Sequence, residues 1–269
     1  RDQTSAKPLS DAHLSASLSL AGSVMLTVTA VSIIPECLSD TSTVLQGVPM
    51  LLERALFVTF GLAAYVALAH WVLPDEPPEY ILAAENHAAT QSHLQSSSAS
   101  EKDLSINATE DARRSWRMAL ILFWSLLLHN FPEGLAVAVS AVHSPRLGLT
   151  TAVAISLHNI PEGIAIAVPC LAARPKDPLL AFGLASLSGL AEPLGAYFTL
   201  MMLQQQHFDV LPWMPDVLAF VGGIMATVAL VELFPEALKH SKPGQHGPFW
   251  AGLVVGAVVM IGTEAVLTG

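Results

Sequence analysis

Residues Leu126–Val139 read LLLHNFPEGLAVAV, and residues Ile155–Val168 read ISLHNIPEGIAIAV. Each sets a histidine, an asparagine and a glutamate into an otherwise apolar run, and the second copy follows the first by 29 residues. His129 and Glu133 are four apart, so on a helix they share a face, and Asn130, three before Glu133, flanks it. His158, Asn159 and Glu162 repeat the pattern. Pro132 cannot donate to the carbonyl of Leu128, nor Pro161 to that of Leu157, so each helix is expected to kink and free a carbonyl there. In a bilayer such a carbonyl is tolerated only where protein or a polar cavity satisfies it. Gly134 and Gly163 allow a neighbouring helix to approach closely.

The rest of the chain says where these blocks sit. Of 269 residues, 52% are hydrophobic and only 13% charged, with mean hydropathy +0.54; soluble domains average about 25% charged residues. No Asp, Glu, Lys or Arg occurs from Ala12 to Pro35 or from Ala55 to Pro74, runs long enough to cross about 30 Å of hydrocarbon as helices. An all-α membrane protein with seven spans is expected, near 14–37, 54–73, 115–142, 147–171, 178–205, 216–239 and 247–267. The chain reads as one transmembrane domain over 1–269, with residues 74–114 a disordered loop because of their polarity and low aromatic content. The net charge of −10 resides mostly in loops and no basic patch exists, which excludes nucleic acid as a partner. No cleavable signal peptide is visible. Cys37 and Cys170 lie near the ends of different spans and read as free thiols.

Alternating the sides places Arg1, Lys7, Lys102, Arg113, Arg114, Arg117, Arg174, Lys176, Lys239 and Lys242 on one side and only Arg54 and Arg146 on the other. The excess puts the N-terminus and the long loop in the cytosol and makes the Asn107 sequon a chance match. Residues 21–38, AGSVMLTVTAVSIIPECL, also align without gaps with 221–238, VGGIMATVALVELFPEAL, eight of eighteen positions being identical. The two copies run in opposite directions, and so do the two HNxPEG spans, as in the inverted repeats of many transporters. Shifted by 200, the counterpart of the span at 178–205 falls before residue 1. An eighth, first helix is therefore expected ahead of this chain, giving a 3+2+3 bundle.

Both histidines lie near the middle of their spans, so antiparallel neighbours bring six polar ligand groups together near the midplane. A carboxylate there is costly unless protonated or paired, and no Lys or Arg in a span is available to Glu133, Glu162 or Glu192. A cation from outside meets the need. Imidazole, carboxylate and amide suit a borderline divalent ion such as Zn²⁺, with Fe²⁺, Mn²⁺ or Cd²⁺ as alternatives. No thiol lies at the centre, which argues against Cu(I). Carboxylates shared between neighbouring positions could bridge two metals.

The paired HNFPEG and HNIPEG blocks resemble those of the zinc–iron permease (ZIP) family, in the branch that includes plant and bacterial zinc carriers. The resemblance covers nearly all of the chain. It implies that His129, Glu133, His158 and Glu162 hold one metal, and that Asn130, Asn159 and Glu192 add a second bridged by Glu133 and Glu162. Glu192, in GLAEPLGA, matches the family's Glu-Pro on the following helix. The resemblance also implies import of metal into the cytosol from outside or from an organelle. Two departures stand out: the HExPHE block of the LIV-1 branch is absent, and the long loop carries only His87 and His93 where many members carry a histidine cluster.

Of the remaining polar residues, Glu36 and Glu264 are expected near outer ends, Glu236 at the cytosolic end and Glu232 deeper, where its repeat twin is Ser32. Met25 is expected to pack, and His70, His143 and His207 to be interfacial. The leading function is carriage of a divalent ion, Zn²⁺ first, by alternating access in a lipid bilayer, not as an enzyme. Its rival is an intramembrane metal-dependent hydrolase, for which the familiar signal is His-Glu-x-x-His; here His-x-x-x-Glu occurs twice. A channel and a homodimer both stay open.

Overall fold

A computed structural model describes residues 10–72, 99–204, 211–241, 244 and 246–268. Among them the secondary structure is entirely helical, in seven long rods: α1 (Asp11–Ser39), α2 (Met50–Ala67 running into Leu68–Val72), α3 (Ala99–His143), α4 (Pro145–Ala173), α5 (Pro178–Gln204), α6 (Met214–Lys239) and α7 (Gly247–Thr268). All seven contain stretches long and apolar enough to cross a membrane. Large apolar side chains such as Leu149, Phe182, Leu179 and Val258 point outward, which hydrocarbon favours and water does not. The chain is an integral, multi-pass membrane protein.

The spans fall where expected, with one difference. The third helix starts at Ala99, so residues 99–114 of the expected loop are helical; the chain there carries acids followed by Arg113, Arg114 and Arg117 and no Pro or Gly to stop a helix. Residues 73–98, with His87 and His93, lie outside the described residues, as do His207 and the expected eighth helix. Ser144 alone separates α3 from α4, which makes the two an antiparallel hairpin.

Proline shapes the backbone in two ways. In α1 the helix widens at Thr29–Ile33, where the Ile34 N–H reaches back five residues to the Thr29 carbonyl; in α6 it widens at Val228–Leu233, where the Phe234 N–H reaches the Ala229 carbonyl. These positions differ by 200, the offset of the sequence repeat, and each precedes a Pro-Glu pair. Pro35 and Pro235 cannot complete the i→i−4 ladder, and the wider turn is the local answer. In α5 the helix breaks at Leu190, because Pro193 offers no N–H to the Gly189 carbonyl. Pro132 and Pro161 act differently: α3 and α4 continue through them without interruption.

Packing sorts the helices into two groups. The first joins α1 to α7 and α2 to α6, with α1 and α6 meeting around their widened turns; the second joins α3 to both α4 and α5. Between the groups α4 packs on α1 and α3 touches α6. A single apolar core that includes Leu18, Met25, Leu122, Leu126, Ile166 and Met225 fills that boundary. Met25 is fully buried there, as its packing role requires. Both cysteines are free and buried.

Candidate metal centre

The α3–α4 hairpin sets the two HNxPEG blocks side by side. His129, Glu133, His158 and Glu162 are all buried, with 0–6% exposure, far from the bulk water that would solvate their charge. The pairing is crossed. His129 Nε2 lies 3.1 Å from Glu162 Oε1, and His158 Nε2 lies 3.2 Å from Glu133 Oε1. Each imidazole therefore answers the acid of the other helix, whereas the four-residue spacing alone places it above the acid of its own. His129, Glu133 and Glu162 each offer a ligand atom within 4.8 Å of the other two.

The third helix completes the site. A Cβ on Gly134 would land on the carbonyl oxygen of Glu192, and one on Gly195 on the carbonyl oxygen of Phe131. Two glycines facing opposite backbones let α3 and α5 cross in direct contact. That crossing carries Glu192, half-buried, up to the blocks, where its Oε1 accepts a hydrogen bond from Asn159 Nδ2. Asn130 Nδ2 donates instead to the Ser188 carbonyl at 3.2 Å, two residues before the α5 break at Leu190.

The polar atoms left over point to a cation. His129 Nδ1, Asn130 Oδ1, Glu133 Oε2, Asn159 Oδ1 and Glu162 Oε2 are all buried with no hydrogen-bond partner among the described residues. Four of these five are oxygens that can only accept, given that the amide nitrogens are already committed. Buried acceptors without donors are costly, and a divalent ion would answer several at once. Imidazole nitrogen with carboxylate and amide oxygen is a donor set for Zn²⁺ or a similar borderline metal. All seven residues singled out from the sequence lie on α3, α4 and α5. Sequence reasoning missed two neighbours: the Ser188 carbonyl, which no side-chain pattern marks, and Ser125, whose buried Oγ lacks a partner one turn before His129.

Residues outside the blocks divide. Glu36 is exposed. Glu232, beside the widened turn of α6, accepts a 2.5 Å bond from the Tyr65 hydroxyl, so it already has a protein partner. Glu236 lies 2.7 Å from Lys239 Nζ and 3.5 Å from His240 Nε2, and His240 Nδ1 lies 3.4 Å from Asp11 at the start of α1. Beyond the end of α6, His240 is held above the usual imidazole range by Glu236, with Asp11 adding to it against partial burial.

Comparison with known proteins identifies a family. The chain matches the family model described as ZIP Zinc transporter over residues 2–264. It is 40% identical to the zinc transporter ZupT of Chlorobaculum parvum over 160 residues, 60% of this chain and 58% of that protein. It is 44% identical to the zinc transporter GufA of Myxococcus xanthus over 147 residues, 54% of this chain and 56% of the other. The ZupT of Corynebacterium aurimucosum is 32% identical over 256 residues, 92% of this chain and 83% of that protein. The chain thus spans somewhat more than half the length of the first two relatives.

Proposed function

The chain belongs to the ZIP Zinc transporter family, and from that premise we propose that it carries a divalent metal ion, Zn²⁺ first, across the membrane into the cytosol by alternating access. The observation that carries this reading is the set of buried, partnerless acceptors around the crossed His–Glu pairs. In this reading His129, Glu133, His158 and Glu162 hold one ion. Asn130, Asn159 and Glu192 contribute to a second, bridged by the Glu133 and Glu162 carboxylates. Metal replaces the imidazole–acid contacts with metal–ligand bonds, and release lets the contacts re-form. Ligands must be free of protons to bind metal, so uptake weakens as the medium becomes acidic.

The direction rests on the excess of Lys and Arg on the side that carries the long loop. The names of the relatives, zinc transporters, support zinc as the cargo. The test is uptake into proteoliposomes with a panel of divalent ions, comparing wild type with Glu133→Ala. Saturable uptake of zinc that the variant loses supports the reading. Uptake that the variant retains, or metal-dependent turnover of lipid or peptide without any flux, rules it out.

A further inference from the structure

At the opposite end of the bundle from Lys239, α2 opens with Glu53 and Arg54 and α6 opens near Asp216. All three are buried: Glu53 and Asp216 have no exposure and Arg54 only 4%. The Arg54 Nη1 donates to Asp216 Oδ1 and lies 4.0 Å from Glu53 Oε1. Its Nε donates to the Cys37 carbonyl at 3.3 Å, and its Nη2 to the carbonyls of Asp40 and Ser42 at 3.4 and 2.5 Å. Glu53 Oε1 accepts from the amides of Val44 and Leu45 at 2.7 and 3.2 Å. Together these bonds fasten the 40–49 loop over the helix ends.

One pair of atoms is unaccounted for. Glu53 Oε2 and Asp216 Oδ2 are buried with no donor among the described residues, and the one Arg54 Nη1 joins the two acids, donating to Asp216 Oδ1 and lying 4.0 Å from Glu53 Oε1. Two carboxylates against one guanidinium leave a surplus negative charge among buried groups, with one acceptor oxygen on each acid unanswered. A single proton resolves both problems, since one acid then donates to the other and the charges sum to zero.

We propose that Glu53 and Asp216 bind one proton between them and form with Arg54 a neutral triad that pins the 40–49 loop across the ends of α1, α2 and α6. The other ionisable groups nearby do not supply it. Cys37 donates its Sγ–H to the Pro215 carbonyl at 3.3 Å. Glu36 is exposed on α1. Asp40, in the loop, is held below the usual carboxylate range by the Ser42 amide, so it stays ionised. A proton bound in the folded state and released on opening makes the loop's stability fall as pH rises.

The test is hydrogen exchange at the Val44 and Leu45 amides of the full chain in lipid, corrected for the intrinsic pH dependence of exchange. Protection in the wild type is expected to fall with rising pH by up to about tenfold per pH unit, the limit for one linked proton, while the closed pair holds its proton and the opened acids do not, and to level off once the closed pair loses it. Glu53→Gln and Asp216→Asn each install a permanent amide donor between the two groups, so either should keep the loop protected and flatten the pH response. A wild-type response that is already flat, one that Glu53→Gln leaves unchanged, or protection set by sodium instead of protons overturns the proposal. An infrared arm needs no variant. At neutral pH the C=O stretch of a protonated acid should shift when aspartate carboxyls carry ¹³C, because Asp216 is the one fully buried aspartate among the described residues. The absence of such a shift under both aspartate and glutamate labelling overturns the proposal as well, since either acid can carry the shared proton.

Discussion

The two HNxPEG blocks are nearly the same sentence written into different surroundings. Around the first, Gly134 is buried against α5, Phe131 stacks near Phe198 with ring centroids 5.9 Å apart, and Asn130 is tied to a backbone carbonyl. Around the second, Ile160 is 61% exposed, Asn159 bonds a carboxylate, and a Cβ on Gly163 would meet nothing closer than Ala185 at 3.9 Å. The same residues are therefore packed unequally by the scaffold. Ligand chemistry follows the motif; packing follows what the neighbouring helix provides.

The largest effect should ignore that difference. Under the proposed function, removing either Glu133 or Glu162 takes away a ligand and strands a buried histidine, so each alanine variant should lower metal affinity by at least about 10–100-fold in proteoliposome uptake. The crossed geometry can be tested in the metal-free protein by thermal unfolding. Glu133→Ala with His158→Ala should couple by about 0.5–3 kcal/mol, and Glu133→Ala with His129→Ala should couple less; the reverse order would mean that the pairs lie within blocks. The glycines break the symmetry next. Gly134→Ala must push α5 away from α3, with a loss of stability and uptake of the size expected from overpacking, about 1–3 kcal/mol. Gly163→Ala has room and should be neutral, or stabilising by up to about 1 kcal/mol through helix propensity.

Smaller contrasts follow. Asn159→Ala removes a bond to a carboxylate and should cost about 1.5–3 kcal/mol, whereas Asn130→Ala removes a neutral one and should cost about 0.5–1.5 kcal/mol, both read from unfolding midpoints. The least effect lies away from the blocks, at His240. Its folded-state affinity for a proton is raised, so its pairing with Glu236 and Asp11 stabilises the protein fully below the unfolded pKa and is lost as pH rises through the folded one. The partners are partly exposed, so screening keeps the contribution under about 1 kcal/mol. His240→Gln should flatten a shallow decline in melting temperature on going to alkaline pH.

Much of this was legible in the sequence because the bilayer is a strict reader. Apolar runs longer than a membrane crossing have few alternatives to a helix, and the seven expected spans became seven helices. Midplane acids without cationic partners marked the site for the same reason. What escaped depends on neighbours. The crossing of the His–Glu pairs is a fact about two helices, invisible to spacing within one. The widened turns of α1 and α6 leave a trace in Pro35 and Pro235, yet Pro132 and Pro161 carry the same residue through unbroken helices, so proline alone does not announce them. Arg54 was readable as an outer charge but not as the centre of a buried triad, because Asp216 is 162 residues away.

The crossed pairing also bears on the half of the cycle in which nothing is carried. A carrier that has delivered its ion must reset with the binding residues bare, and four bare acids and imidazoles in oil would invite water or drive the rods apart. Here each acid turns to the imidazole across the seam, so under the proposed function the four groups would answer one another whenever no ion is bound. Under the proposed function the cargo and these contacts would compete for the same atoms, and that rivalry would keep an empty return trip from becoming a leak.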